Sequence, residues 1–220
     1  MSSTKIYERY WREGRGIAET KEKFFIRNKE KLRRALNGLP IGTCVLDAGC
    51  GKGDYSIFIR NLGYKVTGLD ISPTAINIAR VVIPDIHFEI GSLEDDLPFK
   101  ANEFAAVWCS EVMEHLLDVH GALSEINRVL IKDGLLIFTV PYHGRIKNLA
   151  IALYDFERHY NPYISHIRFY TKKSLKECLW RAGFSVIRWE GLGRFWPVWM
   201  SIFVIARKTS FPEPRPEIIG

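Results

Sequence analysis

The sequence is poor in the features that mark secreted, metal-stapled or membrane-spanning chains. It has four cysteines in 220 residues, Cys44, Cys50, Cys109 and Cys178, and none of them sits in a C-x-x-C pair. Sparse, unpatterned cysteines exclude a disulfide-stapled miniprotein and fit a reducing cytoplasm. No stretch approaches the ~20 consecutive apolar residues of a membrane-spanning helix. The longest candidate, Trp196 to Ala206, is interrupted by Pro197 and Ser201. The polar N-terminus lacks the apolar core of a secretory signal, so a cytoplasmic location is expected. There is no internal repeat and no low-complexity tract. What remains is ordinary for a globular protein: 47% apolar and 25% charged residues, enough to bury a core and to exclude a mainly disordered or collagen-like chain. The length suits one domain, on a soft prior of ~100–200 residues per domain.

The net charge of +6 conceals a segregation: residues 1–40 carry +6, residues 41–140 carry −7 and residues 141–220 carry +7. An acidic middle between basic ends suits either solvated helix faces or a basic rim that attracts an anionic substrate, a nucleic acid or a membrane surface. The stretch 21–36, KEKFFIRNKEKLRRAL, alternates charge with apolar residues at helical spacing, as an ordinary amphipathic helix does. It predicts an N-terminal helical arm, residues 1–40, packed on the core.

From residue 44 short apolar runs alternate with helical patterns. Strands are predicted at 44–48 (CVLDA), 65–69 (KVTGL), 86–90 (IHFEI), 104–109 (FAAVWC), 134–140 (GLLIFTV), 184–189 and 201–206. Helices are predicted at 52–61, at 73–82 after the Ser72-Pro73 start, at 119–131, and at 171–181 with Thr171 as cap and Gly183 as stop. Such alternation argues for a parallel α/β sheet covered on both faces. Its ligands should bind at the carboxyl ends of the strands, near the topological switch point. Residues 142–170 escape the pattern. They hold Tyr142, His143, Tyr154, Phe156, His159, Tyr160, Tyr163, His166, Phe169 and Tyr170, and read as a lid inserted in a domain spanning 41–209. Residues 210–220, with three prolines, read as an extended tail.

The most informative stretch is Val45 to Ser56, VLDAGCGKGDYS. An apolar strand runs into Asp47, then Gly49, Gly51 and Gly53, then a helix. Glycines there allow a sharp turn and close approach of a ligand to the main chain. A dinucleotide loop would want its third glycine at position 54. That position is Asp54, whose charge opposes a pyrophosphate and disfavours a dinucleotide oxidoreductase. Acids on both sides of the glycines suit a cationic ligand.

These residues resemble the first motif of class I S-adenosylmethionine-dependent methyltransferases, D-x-G-x-G-x-G after an apolar strand, over Asp47–Gly53. Four further segments resemble the same family in order: Asp70 ending the next strand, GSLEDDLPF (91–99), CSEVMEHLLD (109–118) with EINRVLIKDGLLIFTVPY (125–142), and HIRFYTKKSLKECLWRAGF (166–184). The last two look like the subfamily of quinone-biosynthesis and other small-molecule methyltransferases. The resemblance implies a Rossmann-like, mostly parallel seven-stranded sheet with its last strand antiparallel. It implies S-adenosylmethionine as cofactor, held by Asp47, Gly49, Cys50, Gly51, Gly53, Asp70, Ile71, Ser92, Leu93, Glu94 and Cys109. In that family Asp70 would take the ribose hydroxyls, and the 91–99 segment would flank the adenine; Ser92 stands where relatives often carry Asp.

Methyl transfer from a sulfonium is a displacement on an activated donor, so placing the nucleophile in line is the main task; near-attack positioning supplies ~7–11 kcal/mol in favourable cases. If the acceptor is a hydroxyl or phenol, a base with a pKa near the working pH helps, which favours histidine. His143, directly after the fifth strand, ranks first and His166 second, with His159 in the lid and Glu111 at the fourth strand's end as an orienting group. Glu111 and His115 at i, i+4 fall short of the three or more ligands that metal sites usually need, so no metal is expected. No cysteine follows a proline and no [DNS]-P-P-[YF] occurs, which disfavours cytosine-C5 and adenine-amino chemistry. Arg145, Lys147, Arg158, Arg168, Lys172 and Lys173 surround the aromatic lid. That mixture suits a small or lipid-like acceptor with an acidic or phenolic group, methylated at oxygen, with RNA as the alternative substrate and a non-enzymatic cofactor- or partner-binding module as a third reading. Phe195–Met200 is expected to form a core plug between the last strands rather than a peripheral membrane contact.

Overall fold

The computed structural model describes residues 19–160, 167–209 and 212. The expectations for most of the tail, for His166 and for the first part of the N-terminal arm therefore fall outside the described residues.

Seven strands form one sheet in the order β3-β2-β1-β4-β5-β7-β6. They are β1 (Cys44–Ala48), β2 (Lys65–Asp70), β3 (His87–Ile90), β4 (Phe104–Ser110), β5 (Leu130–Pro141), β6 (Phe184–Leu192) and β7 (Ser201–Lys208). Pairs β1–β2, β1–β4, β2–β3 and β4–β5 are parallel, whereas β7 runs antiparallel to both β5 and β6. The parallel strands read as continuous apolar runs because both faces are covered. All of β4 except its last residue is buried. On one face Leu46, Leu69, Val107, Leu136 and Phe138 pack with Leu123, Ile126, Leu175 and Leu179 of helices. On the other Val45, Ala106, Trp108, Ile137 and Phe203 pack with Leu32, Leu36 and Ile59.

The helices begin where the sequence supplies caps. α1 (Glu19–Leu36) buries Leu32 and Leu36 fully. α2 (Asp54–Asn61) starts at Gly53. In α3 (Pro73–Val82) the Ser72 hydroxyl accepts the Ala75 N–H at 3.2 Å and Pro73 opens the first turn, where its missing N–H costs nothing. α4 (Val119–Val129) is capped by Asp118. α5 (Arg145–Tyr154) and α6 (Phe156–His159) follow β5. α7 (Lys172–Arg181) carries a capping box between Thr171 and Ser174.

Most boundaries shift by a residue or two and β6 runs on to Leu192 rather than 189, but the largest shift lies where α4 meets β5. Helix α4 stops at Val129, two residues early, and β5 begins at Leu130 rather than 134. Leu130 pairs with Phe104 and Leu135 with Ala106, so Ile131–Gly134 bulge out of the ladder, with Asp133 at φ 62°. Leu130 is buried while the next three residues are not, and burial of that one side chain is what draws the chain back into the sheet. The loop before β7 also departs from expectation. Phe195 and Trp196 are 77% and 69% exposed. Only Trp199 plugs inward, 5.6 Å from the Tyr142 ring. The predicted core plug is thus chiefly one tryptophan, while Pro197 and Val198 are half-buried and Phe195 and Trp196 face solvent.

Candidate functional site

The strand order reverses at β1: β2 and β3 lie on one side, β4 and β5 on the other. The crevice outside the carboxyl ends of β1 and β4 is where open α/β sheets take ligands. The glycine loop, the end of β2 and the start of the lid all converge there.

The loop is held against β2 by its own main chain. The Gly49 and Cys50 N–H groups donate to Leu69 O at 2.7 and 3.0 Å. The Gly51 N–H donates to Asp70 Oδ2 at 2.8 Å, and the Ser72 N–H donates to Asp70 Oδ1 at 2.9 Å. Asp70 thus ties the glycine loop and the start of α3 to the end of β2. Gly49 stands at φ 77°, and a Cβ there would collide with Val112. Gly53 stands at φ 89°, with a Cβ 2.5 Å from Ile83. At both positions a side chain would meet backbone strain and a steric contact.

Asp47 is almost fully buried. Its Oδ2 accepts the Ser56 hydroxyl at 2.6 Å, which pins β1 to the first turn of α2. Burial pushes its carboxyl up to about 7; the Ser56 hydroxyl opposes this, and the charges of Asp70 and Asp54 add to it. Two further acids thus act on Asp47 beside the loop. Such a field repels a pyrophosphate and favours a ligand with cationic groups.

On the far side of Asp70 the picture is mixed. Ile71 and Ser92 are half-buried. The Ser92 hydroxyl accepts the Glu94 N–H at 3.1 Å. Glu94 Oε1 accepts the N–H groups of Leu117 and Asp118, each at 2.7 Å, so this carboxylate braces the loop before α4. Leu93 is in the core cluster. Cys109 is wholly buried beside Ala48 and Phe138, and burial pushes its thiol well above the usual range. The Cys50 thiol is raised for the same reason. Burial keeps both thiols protonated, which disfavours a nucleophilic role for either.

The strand ends carry a second group of polar residues. Glu111 follows β4 at φ 54°, an uncommon conformation for a non-glycine residue that points to a local constraint. Its N–H donates to Thr139 O at 3.0 Å and its Oε2 accepts the Ser201 hydroxyl at 3.3 Å. Its Oε1 is buried and has no hydrogen-bond partner among the described residues. Burial raises its carboxyl, while Thr139, Ser201 and Lys147 pull the other way. Glu114, fully buried, is raised by burial and by the charge of Glu111. Lys147, on the first turn of α5, donates to Tyr142 O at 2.7 Å and Met200 O at 3.0 Å. Burial and then Arg194 lower its ammonium to about 8, with Glu111 opposing.

His143 is 2% exposed. Its N–H donates to Tyr170 O at 3.0 Å, its ring Nδ1 lies 3.3 Å from Asn148 Oδ1, and it packs edge-on against Phe169 at 4.8 Å. His159 comes within 5.5 Å of it, ring to ring. Helix α1 closes the site from another side. The Asn28 amide donates to the Tyr55 hydroxyl at 2.9 Å and to Ser110 Oγ at 3.2 Å, and Ser110 Oγ lies 3.0 Å from Thr139 Oγ1. The structure therefore gathers Asp47, Gly49–Gly53 and Asp70 in one cradle, and His143, His159, Glu111 and Lys147 at the adjoining strand ends.

Sequence reasoning missed Asn28, Tyr55, Asn148 and Ser201. Asn148 had a signal, lying five residues after His143 at the start of one helix. Asn28 had none, since nothing local distinguishes it within a charged amphipathic helix.

A family model described as a methyltransferase domain matches residues 11–188. Among curated proteins, the chain is 32% identical over 125 residues to malonyl-[acyl-carrier protein] O-methyltransferase of Serratia marcescens, covering 56% of this chain and 49% of that one. It is 36% identical over 118 residues to ubiquinone biosynthesis O-methyltransferase of Xanthomonas axonopodis pv. citri, covering 52% and 49%. The chain spans about half the length of the curated relatives it matches. Among solved structures, magnesium protoporphyrin IX methyltransferase from Synechocystis PCC 6803 with bound SAH superposes with a TM-score of 0.70 at 20% identity, over 94% of this chain and 95% of that one.

Proposed function

The chain belongs to the methyltransferase-domain family, and on that premise we propose that it transfers a methyl group from S-adenosylmethionine to an oxygen of a small or lipid-like acceptor that carries a carboxylic or phenolic group. The observation that carries the cofactor half of this reading is the coupling of Gly51 to Asp70. One carboxylate at the end of β2 fixes the glycine loop and stands where vicinal hydroxyls would meet it. The acids beside the loop favour a cationic ligand, and Gly49 and Gly53 leave the main chain bare for close approach. When bound, S-adenosylmethionine supplies a methyl group already activated on a sulfonium. Asp70 would accept the ribose hydroxyls, Gly49–Gly53 would line the amino-acid portion, and Ile71, Ser92 and the main chain of Leu93 and Cys109 would border the base.

The remaining work belongs to the acceptor side. Glu111 offers an unpartnered carboxyl oxygen at the end of β4 and would accept a hydrogen bond from the acceptor. The Lys147 ammonium would counter an anionic oxygen there. His143, its ring oriented by Asn148 and Phe169, would take the acceptor's proton before the in-line attack. Burial of this group excludes water, so the charges act in a low dielectric. Two curated relatives carry names that state O-methylation, which supports oxygen as the atom methylated.

The direct test incubates the protein with labelled S-adenosylmethionine and a metabolite and lipid extract, with mass spectrometry reading a gain of CH₂. On the acceptor so found, His143→Ala should lower kcat by ~10²–10⁴ with cofactor affinity by calorimetry unchanged. An unaltered kcat would remove His143 from the role of base. Absence of any calorimetric binding of S-adenosylmethionine or its demethylated product would overturn the whole reading.

A further inference from the structure

Helix α5 contains no fully buried residue, although its sequence, RIKNLAIALY, is mostly apolar. Ile146, Leu149 and Leu153 stand 56%, 62% and 66% exposed, and their i, i+3, i+7 spacing puts them on one helical face. The loop before β7 adds Phe195 and Trp196, at 77% and 69% exposed. The two segments are joined rather than scattered. Lys147 donates to both Tyr142 O and Met200 O, and the Tyr142 N–H donates to Met200 O at 3.0 Å. Pro141 and Ser201, the residues from which the two segments depart, face each other in the β5–β7 ladder. One apolar rim therefore borders the end of the sheet that holds Glu111 and His143. Apolar patches of this kind mark interaction sites, and a short helix whose residues are at most half-buried against its own chain has little of the tertiary packing that usually stabilises it.

The charge around the rim selects the occupant. Arg145, Arg194, Lys172 and Lys173 are exposed there, and Lys172 Nζ lies 4.9 Å over the Trp199 ring. Asp155 and Glu157 are the acids on the adjoining α6 segment. A second copy meeting this face in a two-fold contact would bring four exposed cations of each copy onto a face with only Asp155 and Glu157 to oppose them among the described residues. A nucleic acid would satisfy the cations but would leave the aliphatic face of α5 in water. An anionic bilayer surface satisfies both groups. Aliphatic side chains enter the headgroup–acyl boundary, tryptophan sits at that level, and arginine and lysine meet the lipid phosphates. Among the described residues no helix is long and apolar enough to cross a membrane, which agrees with a helix lying on the surface.

We propose that α5 and the Phe195–Met200 loop form a docking face for an anionic lipid bilayer, with the acceptor side of the site opening beside the bound surface. This goes beyond the methyl-transfer reading and stands without it, because docking needs no chemistry. It does narrow the acceptor class: the natural substrate would be an amphiphile whose polar head is presented at the interface.

The test is flotation of the purified full chain with vesicles of phosphatidylcholine containing about one third phosphatidylglycerol, against vesicles of phosphatidylcholine alone. The wild type should float with the anionic vesicles and remain behind with the neutral ones. L149E/L153E should reduce the bound fraction at least tenfold, with calorimetric affinity for S-adenosylmethionine and thermal midpoint retained. Because glutamates can also repel lipid phosphate by charge alone, L149S/L153S is run in parallel and should weaken binding in the same direction. Three results would overturn the proposal: no flotation of the wild type, equal flotation with neutral vesicles, or undiminished flotation of both variants. A concentration-dependent dimer that both variants abolish, with no vesicle binding, would reassign the face to a second copy. Loss of cofactor binding in the wild type would refute the proposed function and leave vesicle binding intact, so the two failures are distinguishable.

Discussion

Single carboxylates at this site do different jobs because burial treats them differently. Asp70 stays near the surface of the cradle and orients main-chain donors, while Asp47 is sealed beneath it with Ser56 as its partner. The folded state raises the Asp47 carboxyl from its ordinary 3.8 to about 7. A group raised on folding contributes stability that is complete below its unfolded pKa and is lost as pH rises through the folded one. For Asp47 that window runs from 3.8 to about 7. Thermal denaturation of the ligand-free protein across this range should show the wild type losing stability relative to Asp47→Asn as pH rises. Parallel curves for the two proteins would show that Asp47 does not titrate in that window. The sequence marked Asp47 as a member of the motif, but its pairing with Ser56 nine residues away could not be read before β1 and α2 were placed. The same holds for Glu111. Its position at the fourth strand's end was legible, whereas its left-handed backbone and its bond to Ser201 required β7 to return alongside β5.

Among elements, the first crossover carries the most demanding local geometry. Gly49 combines a positive φ with contact against Val112, so its main chain and its missing side chain are both required. Gly49→Ala should destabilise the fold by ~1–3 kcal/mol, the usual cost of overpacking, and should weaken cofactor binding by calorimetry at a temperature where the variant remains folded. Adding Val112→Ala should relieve the steric part and leave the backbone strain. A variant as stable and as tightly binding as the wild type would exclude a tight turn at this position. Most elements here were legible because each carries local chemistry: apolar runs for strands, Ser72-Pro73 and Thr171 for helix starts. The edges that failed, Val129/Leu130 and the Phe195–Met200 loop, are those where packing of distant residues decides. Tyr142, which meets Trp199, lies 57 residues earlier in the chain.

At the scale of the whole molecule, α1 is an integral part of the sheet's cover. Leu32 and Leu36 share a cluster with Trp108, Ile137 and Phe203. Lys31 pairs with Glu190 on β6, which Arg34 and Arg188 also approach. The basic N-terminal charge is thus partly neutralised across the fold, while Asn28 reaches the polar strand ends. Leu32→Ala should cost ~2–5 kcal/mol, the range for emptying a buried leucine site, read as a shifted denaturant midpoint with an unchanged slope. A loss below ~1 kcal/mol would mean that α1 is only loosely attached. The C-terminal positive charge has a different fate. Arg145, Arg194, Lys172 and Lys173 stay exposed around the apolar rim, so the charge asymmetry visible in the composition acquires a location and a partner chemistry only in three dimensions.

The sequence by itself determined the fold class, the order of most elements, the glycine cradle and the cofactor it suits. The fold and the loop rest on periodicity, capping and a contiguous motif, all of which act over a few neighbouring residues; the cofactor is what the family resemblance of that motif implies. Only the tertiary structure decided that Gly51 rests on Asp70, that Asn28, Ser201 and Lys147 join the strand ends, and that Phe195 and Trp196 face outward. Each of these depends on contacts between residues far apart in the chain, and such contacts arise from burying the sheet on both faces rather than from any local preference.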